Sequence, residues 1–330
     1  VTASLISLLP RASRLTAPWR LALLALAAAG AITAFMTLGA NGNWGFVLPF
    51  RSGKLAGMLL VAYAIAVSSV LFQTITHNRI LTPSIMGFDA MYVLIQTILV
   101  FGLGLELNGK GAPPVAKFLA EVALMTAFAC LLFRWLFTGA AHSLHRVMLV
   151  GIVFGLLFRS LSSFMMRLID PNEFLVLQDR MFASFNSIQT ELLGASAVAV
   201  AGASLVAWRL RHRYDVLAMG RDVAINLGVD YRRTLMLTLA LIAVMVSVST
   251  ALVGPVTFFG LLVSNLAYHL MGSDRHRLVV PAAVLLGVVM LVGGQALLER
   301  VMGLSVPVSV VIEFLGGLVF LALVTRRLRR

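Results

Sequence analysis

The chain has 330 residues, 60% of them hydrophobic and only 12% charged, with a mean hydropathy of +0.97. A soluble domain carries about 25% charged residues, so this composition excludes a single aqueous globule and makes the bilayer the natural solvent. The net charge of +13 would point to nucleic acid in a soluble protein. Here the Lys and Arg lie mostly between apolar runs, without the aromatic-plus-basic pattern of a nucleic-acid binder, and they read as topology signals.

A membrane-spanning helix needs about 20 apolar residues at a rise of about 1.5 Å each. In chain order, that length predicts spans at 21–40, 55–73, 85–105, 115–137, 147–168, 192–208, 234–253, 256–271, 278–298 and 305–325. The predicted class is an all-α polytopic bundle of about ten transmembrane helices, with a basic N-terminal segment at 1–19 and a single transmembrane domain over 20–330. The first run follows Arg20 and is long enough to span, so no cleavable signal peptide is expected. Lys and Arg concentrate on one set of connections, which predicts both termini in the cytoplasm and an even number of spans. The longest connection, about 209–233, is cytoplasmic in this topology. None is long enough for a soluble domain, so any energy-converting domain is expected on another chain.

Few residues suggest chemistry. Cys130 stands alone, which excludes an intrachain disulfide, and no Cys or His cluster has metal-ligand spacing. The stretch Gly104-Leu-Glu-Leu-Asn-Gly109-Lys110 approaches a phosphate-binding loop, but Gly111 stands where a Ser or Thr would hold magnesium. Gly151 and Gly155 have the spacing of close helix packing in lipid. His77, His142, His145, His212, His269 and His276 fall at the predicted cytoplasmic edges and read as membrane-flanking residues.

Arg159 lies about 12 residues into its span, near the middle of a core about 30 Å thick. It shares a helix face with Ser162, Ser163 and Met166. It is read either as a structural Arg, bonded to carbonyls or paired with a carboxylate such as Asp89, or as an anion-attracting position in a translocation path. Asp89 and Glu313, the other intramembrane carboxylates singled out, read as packing or ion-pair residues.

The most informative stretch is Tyr214 to Asp230, which is too polar to span. Asp215 and Asp222 can cap short helices, Gly220 and Gly228 can end them, and Val223 and Leu227 fall on one face. This predicts two short amphipathic helices on the cytoplasmic side, either lying on lipid headgroups or presenting a docking surface.

Leu217-Ala-Met-Gly220-Arg221-Asp-Val223-Ala224-Ile-Asn-Leu227-Gly228-Val resembles the L-x-x-G-x-x-x-A-x-x-L-G-V signature of FecCD-family permeases of ATP-binding-cassette (ABC) importers. Arg51-Ser-Gly-Lys54-Leu-Ala-Gly57, Gln73 with Asn78, Pro83 and Gly87, Gly254 to Asn265, and Pro307 to Gly316 resemble further family elements in the same order, over roughly residues 20–330. Ser264-Asn265 replaces the usual Pro-His, Phe88-Asp89-Ala90 replaces Ser-x-Gly-Ala, and Gly317-Leu318 replaces a closing x-Pro. With Phe158 to Phe164 and Ile169 to Phe174, these departures resemble the second of two unlike permeases in catecholate-siderophore importers, and favour a heterodimer over a homodimer.

The resemblance implies a type II ABC importer permease fold in a bacterial inner membrane. It implies a non-catalytic subunit moving a ferric siderophore, with a second homologous permease, two ATP-binding subunits and an extracytoplasmic siderophore-binding protein as partners. No metal or cofactor is expected on this chain, and ATP and magnesium belong to the partner ATPase. The ATPase would dock on Asp215, Leu217, Met219, Gly220, Arg221, Val223, Ala224, Leu227 and Gly228, and the binding protein on Arg51, Lys54 and Arg300. The alternatives are a haem or cobalamin permease and an ion-coupled secondary transporter. The spans hold no H-E-x-x-H or G-x-S-x-G pattern of a membrane enzyme.

Overall fold

The computed structural model describes residues 16–40, 42, 44–103, 113–138, 144–181, 183–186, 188–303 and 307–328. The phosphate-loop-like stretch at 104–110 and residues 1–15 of the N-terminal segment lie outside them. The described residues are helical and contain no strand. The helices are α1 (Ala17–Thr37), α2 (Trp44–Thr76), α3 (Phe88–Leu103), α4 (Pro114–Thr138), α5 (Leu144–Met166), α6 (Pro171–Met181), α7 (Thr190–Arg209), α8 (Arg211–Leu217), α9 (Arg221–Asn226), α10 (Tyr231–Val253), α11 (Phe259–Met271), α12 (His276–Val288) and α13 (Val308–Leu328). Beyond Val288, α12 continues through a π turn at Val289–Gly293, one α turn at Gly294–Ala296 and a second π turn at Leu297–Val301.

Among the described residues, 7 helices are long and apolar enough to cross a membrane: α1, α2, α4, α5, α7, α10 and the extended α12. The shorter apolar helices are Phe88–Gly102, Phe259–Met271 and Val308–Val319. Each predicted apolar run therefore has its helix. Two boundaries move. The helix expected from 55 begins at Trp44 and has 33 residues, with Pro49 inside its first turns. The helix expected from 256 begins only at Phe259, after an irregular stretch opened by Gly254 at φ 97°.

Local chemistry accounts for several ends. A proline has no N–H to lose in a helix's first turn; Pro18, Pro114 and Pro171 occupy such positions. Asp230 caps α10 by accepting the Arg233 N–H at 3.0 Å. Gly272 ends α11 in the left-handed region.

Burial sorts the helices into centre and rim. In the apolar windows of α2 and α10, 67% of residues are buried, against 11% for α1 and 22% for α4 and α5. So α2 and α10 form the axis, and α12 packs against α2, α11 and α1. The exposed faces of α5 and α13 carry Leu156, Leu157, Phe164, Phe314, Leu318 and Leu321. In a membrane protein such faces meet lipid or another protein rather than water. The turn just before α3 touches α5 at backbone level, where Gly87 (φ 101°) lies against Gly151 and Gly155.

Candidate functional site

The two ends of the bundle differ in chemistry. At one end, α8 and α9 connect α7 to α10. They are the two short helices expected from the sequence, and the glycines that separate and end them have positive φ: Gly220 at 107° and Gly228 at 78°. Two expected roles change. Asp222 makes no capping bond; α9 is preceded by Gly220, which has no side chain to offer. Asp215 does not cap α8, because its carboxylate turns to His276 instead.

Leu217, Ala224 and Tyr214 are buried inward. Met219, Val223 and Leu227 are 64%, 38% and 60% exposed, one in the turn before α9, one within it and one at its end, so the segment shows apolar side chains to its surroundings. Asp215, Arg221 and Gly228 are exposed too.

Beneath this segment lies His276, the first residue of α12, buried at 5%. The Asp215 Oδ1 accepts its backbone N–H at 3.0 Å and lies 2.7 Å from its Nδ1, while its Nε2 lies 2.7 Å from the Thr74 Oγ1 near the end of α2. Burial works to raise the Asp215 carboxyl, but the backbone N–H and imidazole of His276 outweigh it and hold the carboxyl below its ordinary value. Reading His276 as a membrane-flanking residue is corrected here: it joins three elements. Nearby, Gln73 and Asn265 both donate to the Arg79 carbonyl at 2.8 Å, fixing the turn after α2. Two motif residues almost 200 positions apart thus serve one carbonyl.

At the opposite end, an open cavity of about 370 Å³ is lined by Phe35, Phe50, Arg51, Lys54, Asn186, Glu299, Arg300 and Gly303. Lys54 donates to Glu299 and Asn186, and Gln295 donates to the same two residues. The Arg300 guanidinium lies 3.9 Å from Glu299, with its side chain 31% exposed.

Arg51 departs from the expected outer docking surface, because it is buried at 3%. Its Nη1 donates to the carbonyls of Phe35, Met36 and Leu38, each at 2.9 Å, and its Nη2 to that of Gly39 at 3.3 Å. A helix leaves its last carbonyls without intrahelical partners, and this guanidinium satisfies those of α1.

Midway, the face predicted to unite Arg159, Ser162, Ser163 and Met166 divides. Arg159 and Ser163 point outward among exposed apolar side chains. Ser162 is buried and donates to the Phe158 carbonyl at 2.8 Å. Met166 packs on Ile169, Leu177 and Val100. Asp89 is buried and Glu313 half-buried, and among the described residues neither forms an ion pair with Arg159.

Comparison with known proteins places this architecture. The chain is 45% identical over 285 residues to the petrobactin import system permease protein YclO of Bacillus subtilis (strain 168), covering 86% of this chain and 90% of that one. It is 35% identical over 285 residues to the petrobactin import system permease protein FatC of Bacillus anthracis, covering 85% and 79%. A solved inward-facing structure, described as a metal-chelate type ABC transporter, superposes with a TM-score of 0.80 at 22% identity, covering 94% of this chain and 99% of that chain, and so shares the fold. The family model of the FecCD transport family matches residues 21–326. With its apolar helices, its short paired helices between α7 and α10 and that match along nearly its whole length, the chain belongs to the FecCD transport family.

Proposed function

We propose that this chain is the multi-pass permease subunit of an ABC importer that carries a ferric siderophore of catecholate type into the cytoplasm. The observation that carries this reading is the 45% identity to a petrobactin import permease over most of both chains. The proposed assembly is a heterodimer with a second, homologous permease in a bacterial inner membrane, both termini cytoplasmic. Two ATP-binding subunits sit below and a siderophore-binding protein above. The chain itself performs no catalysis; ATP and magnesium act on the partner ATPase. Reconstitution of the complex in liposomes tests this. ATP-dependent uptake of labelled ferric petrobactin is expected, well above that of haem or cobalamin. Uptake driven by an ion gradient without ATP, or a preference for cobalamin, would overturn it.

In this reading, α8 and α9 dock the ATPase through the exposed apolar residues Met219, Val223 and Leu227, with Asp215, Leu217, Gly220, Arg221, Ala224 and Gly228 shaping that surface. Gly220 has φ 107° and ψ 162°, a region essentially reserved for glycine and costing other residues about 1–3 kcal/mol. A Cβ there would meet nothing within 4 Å, so the penalty is conformational rather than steric. Gly220→Val is expected to leave the bundle folded, with a melting temperature lower by only a few degrees, while lowering ATPase association and uptake about tenfold. Wild-type association and uptake in this variant would remove the docking role.

The exposed Arg159 and Ser163 are proposed to face the translocation path between the permeases, with Ser162 and Met166 supporting their helix. Arg159→Met is then expected to leave assembly intact and slow uptake most for the most anionic chelates, whereas a loss indifferent to cargo charge would count against it. Lys54 and Arg300 are proposed to receive acidic residues of the binding protein at the outer cavity.

A further inference from the structure

We infer that His276 is a positioning residue that transmits movement of the segment Arg211–Asn226 to α2 and α12 together. The inference rests on reading that segment as the ATPase-docking surface. One oxygen of Asp215, on α8, meets both the backbone N–H and the imidazole Nδ1 of His276, which fixes the ring's place and its orientation at once. The other ring nitrogen meets the hydroxyl of Thr74, itself 2.9 Å from the Val70 carbonyl of α2. Tyr214, also on α8, stacks obliquely on the ring, with centroids 5.8 Å apart.

His276 and Thr74 are both buried at about 5%, where water competes little for their hydrogen bonds. A displacement of α8 therefore either moves the start of α12 and the end of α2 or breaks this chain of bonds. The depressed Asp215 carboxyl keeps the link charged on one side at every physiological pH. Because its value in the folded protein lies below the ordinary one, that contact is complete above the ordinary aspartate range and is lost only as pH falls below it.

The same two helices are joined again at the far end of the bundle, where Lys54 of α2 meets Glu299 in the π-helical continuation of α12. α2 and α12 are thus tied at both ends, and the outer basic cavity is built on this pair. A load entering at Asp215 reaches the outer cavity through two helices constrained to move as one.

The test uses the complete complex, reconstituted in liposomes with its ATP-binding chains and a labelled ferric petrobactin probe. His276→Ala and Asp215→Ala are compared singly and together, alongside His276→Asn, whose amide nitrogen restores the bond to Asp215 but not the one to Thr74. ATP hydrolysis is expected to stay within about twofold of wild type in His276→Ala, while uptake per ATP hydrolysed falls about tenfold in each alanine variant. The double variant is expected to be no worse than either single one. His276→Asn should recover part of the loss. Parallel loss of hydrolysis and uptake, or multiplying losses in the double variant, would overturn the inference. Should the alanine variants fail to assemble, Thr74→Val removes the hydroxyl at constant volume; a wild-type uptake-to-hydrolysis ratio there would overturn it equally. A wild-type chain that shows no ATP-dependent uptake overturns the docking reading itself, and this inference with it.

Discussion

Gly155→Val is expected to lower the yield of folded bundle several-fold and its melting temperature with it. A Cβ at Gly155 would lie 3.0 Å from the Cα of Gly87, and a Cβ at Gly87 would lie 2.8 Å from the Cα of Gly155. These are backbone atoms on both sides, so no side-chain rotation relieves the clash. Gly87 also has φ 101° and follows the 3-10 turn Ser84–Met86, which leaves that turn little freedom to retreat. Helices in lipid associate largely through close backbone approach, and overpacking a tight contact costs about 1–3 kcal/mol or more. Gly151→Ala is the control. Its nearest obstacle is the terminal methyl of Met86 at 2.6 Å, which can swing aside, with the Met86 carbonyl oxygen next at 3.3 Å, so a smaller loss than at Gly155 is expected. The measurement is the yield of monodisperse protein in detergent together with its melting temperature. Equal yields and melting temperatures for the two variants would show that the contact between the Gly87 turn and α5 is not tight in the assembled protein.

The second large effect is expected at Arg51. Arg51→Met keeps much of the side-chain bulk but leaves the carbonyls of Phe35, Met36, Leu38 and Gly39 without this donor. A buried polar group left unsatisfied costs about 1–3 kcal/mol. Loss of a charged donor shared by four carbonyls should therefore cost several times the effect of a surface change, seen as a lower melting temperature. Arg300→Glu, in the open cavity, is expected to leave melting nearly unchanged and to weaken binding-protein association at low salt, since a surface pair contributes only about 0–1 kcal/mol to stability. A normal melting curve for Arg51→Met with weakened association would return Arg51 to the outer surface.

The contrast between these two arginines shows what the sequence could reveal. The apolar runs were legible because the bilayer imposes a length, and each predicted run has its helix. The short helices α8 and α9 were legible because Gly220 and Gly228 punctuate a polar stretch. Gly151 and Gly155 announced close packing, but not that their partner is an irregular turn at Gly87 rather than a helix face. The early start of α2 was hidden, because Pro49 and Arg51 look like loop residues until the end of α1 comes near enough to take the guanidinium. His276 was hidden for a related reason. Its partners lie 61 and 202 positions away, and a histidine beside an apolar run looks the same whether it faces water or a buried carboxylate. The face around Arg159 was predicted as one and is divided in two, because Ser162 turns inward while Arg159 and Ser163 are exposed.

The two π turns at Val289–Gly293 and Leu297–Val301 bear on any attempt to map this helix by mutation. Each such turn accommodates one residue more than an α turn, and one residue corresponds to about 100° around the axis. A helical wheel drawn from His276 therefore loses its phase by about 100° at the first insertion and by about 200°, just over half a revolution, after the second. Glu299, which meets Lys54, lies within the second of these turns. Scanning mutagenesis read at three- and four-residue intervals from the start of the helix would assign Glu299 and Arg300 of the basic cavity to the wrong side.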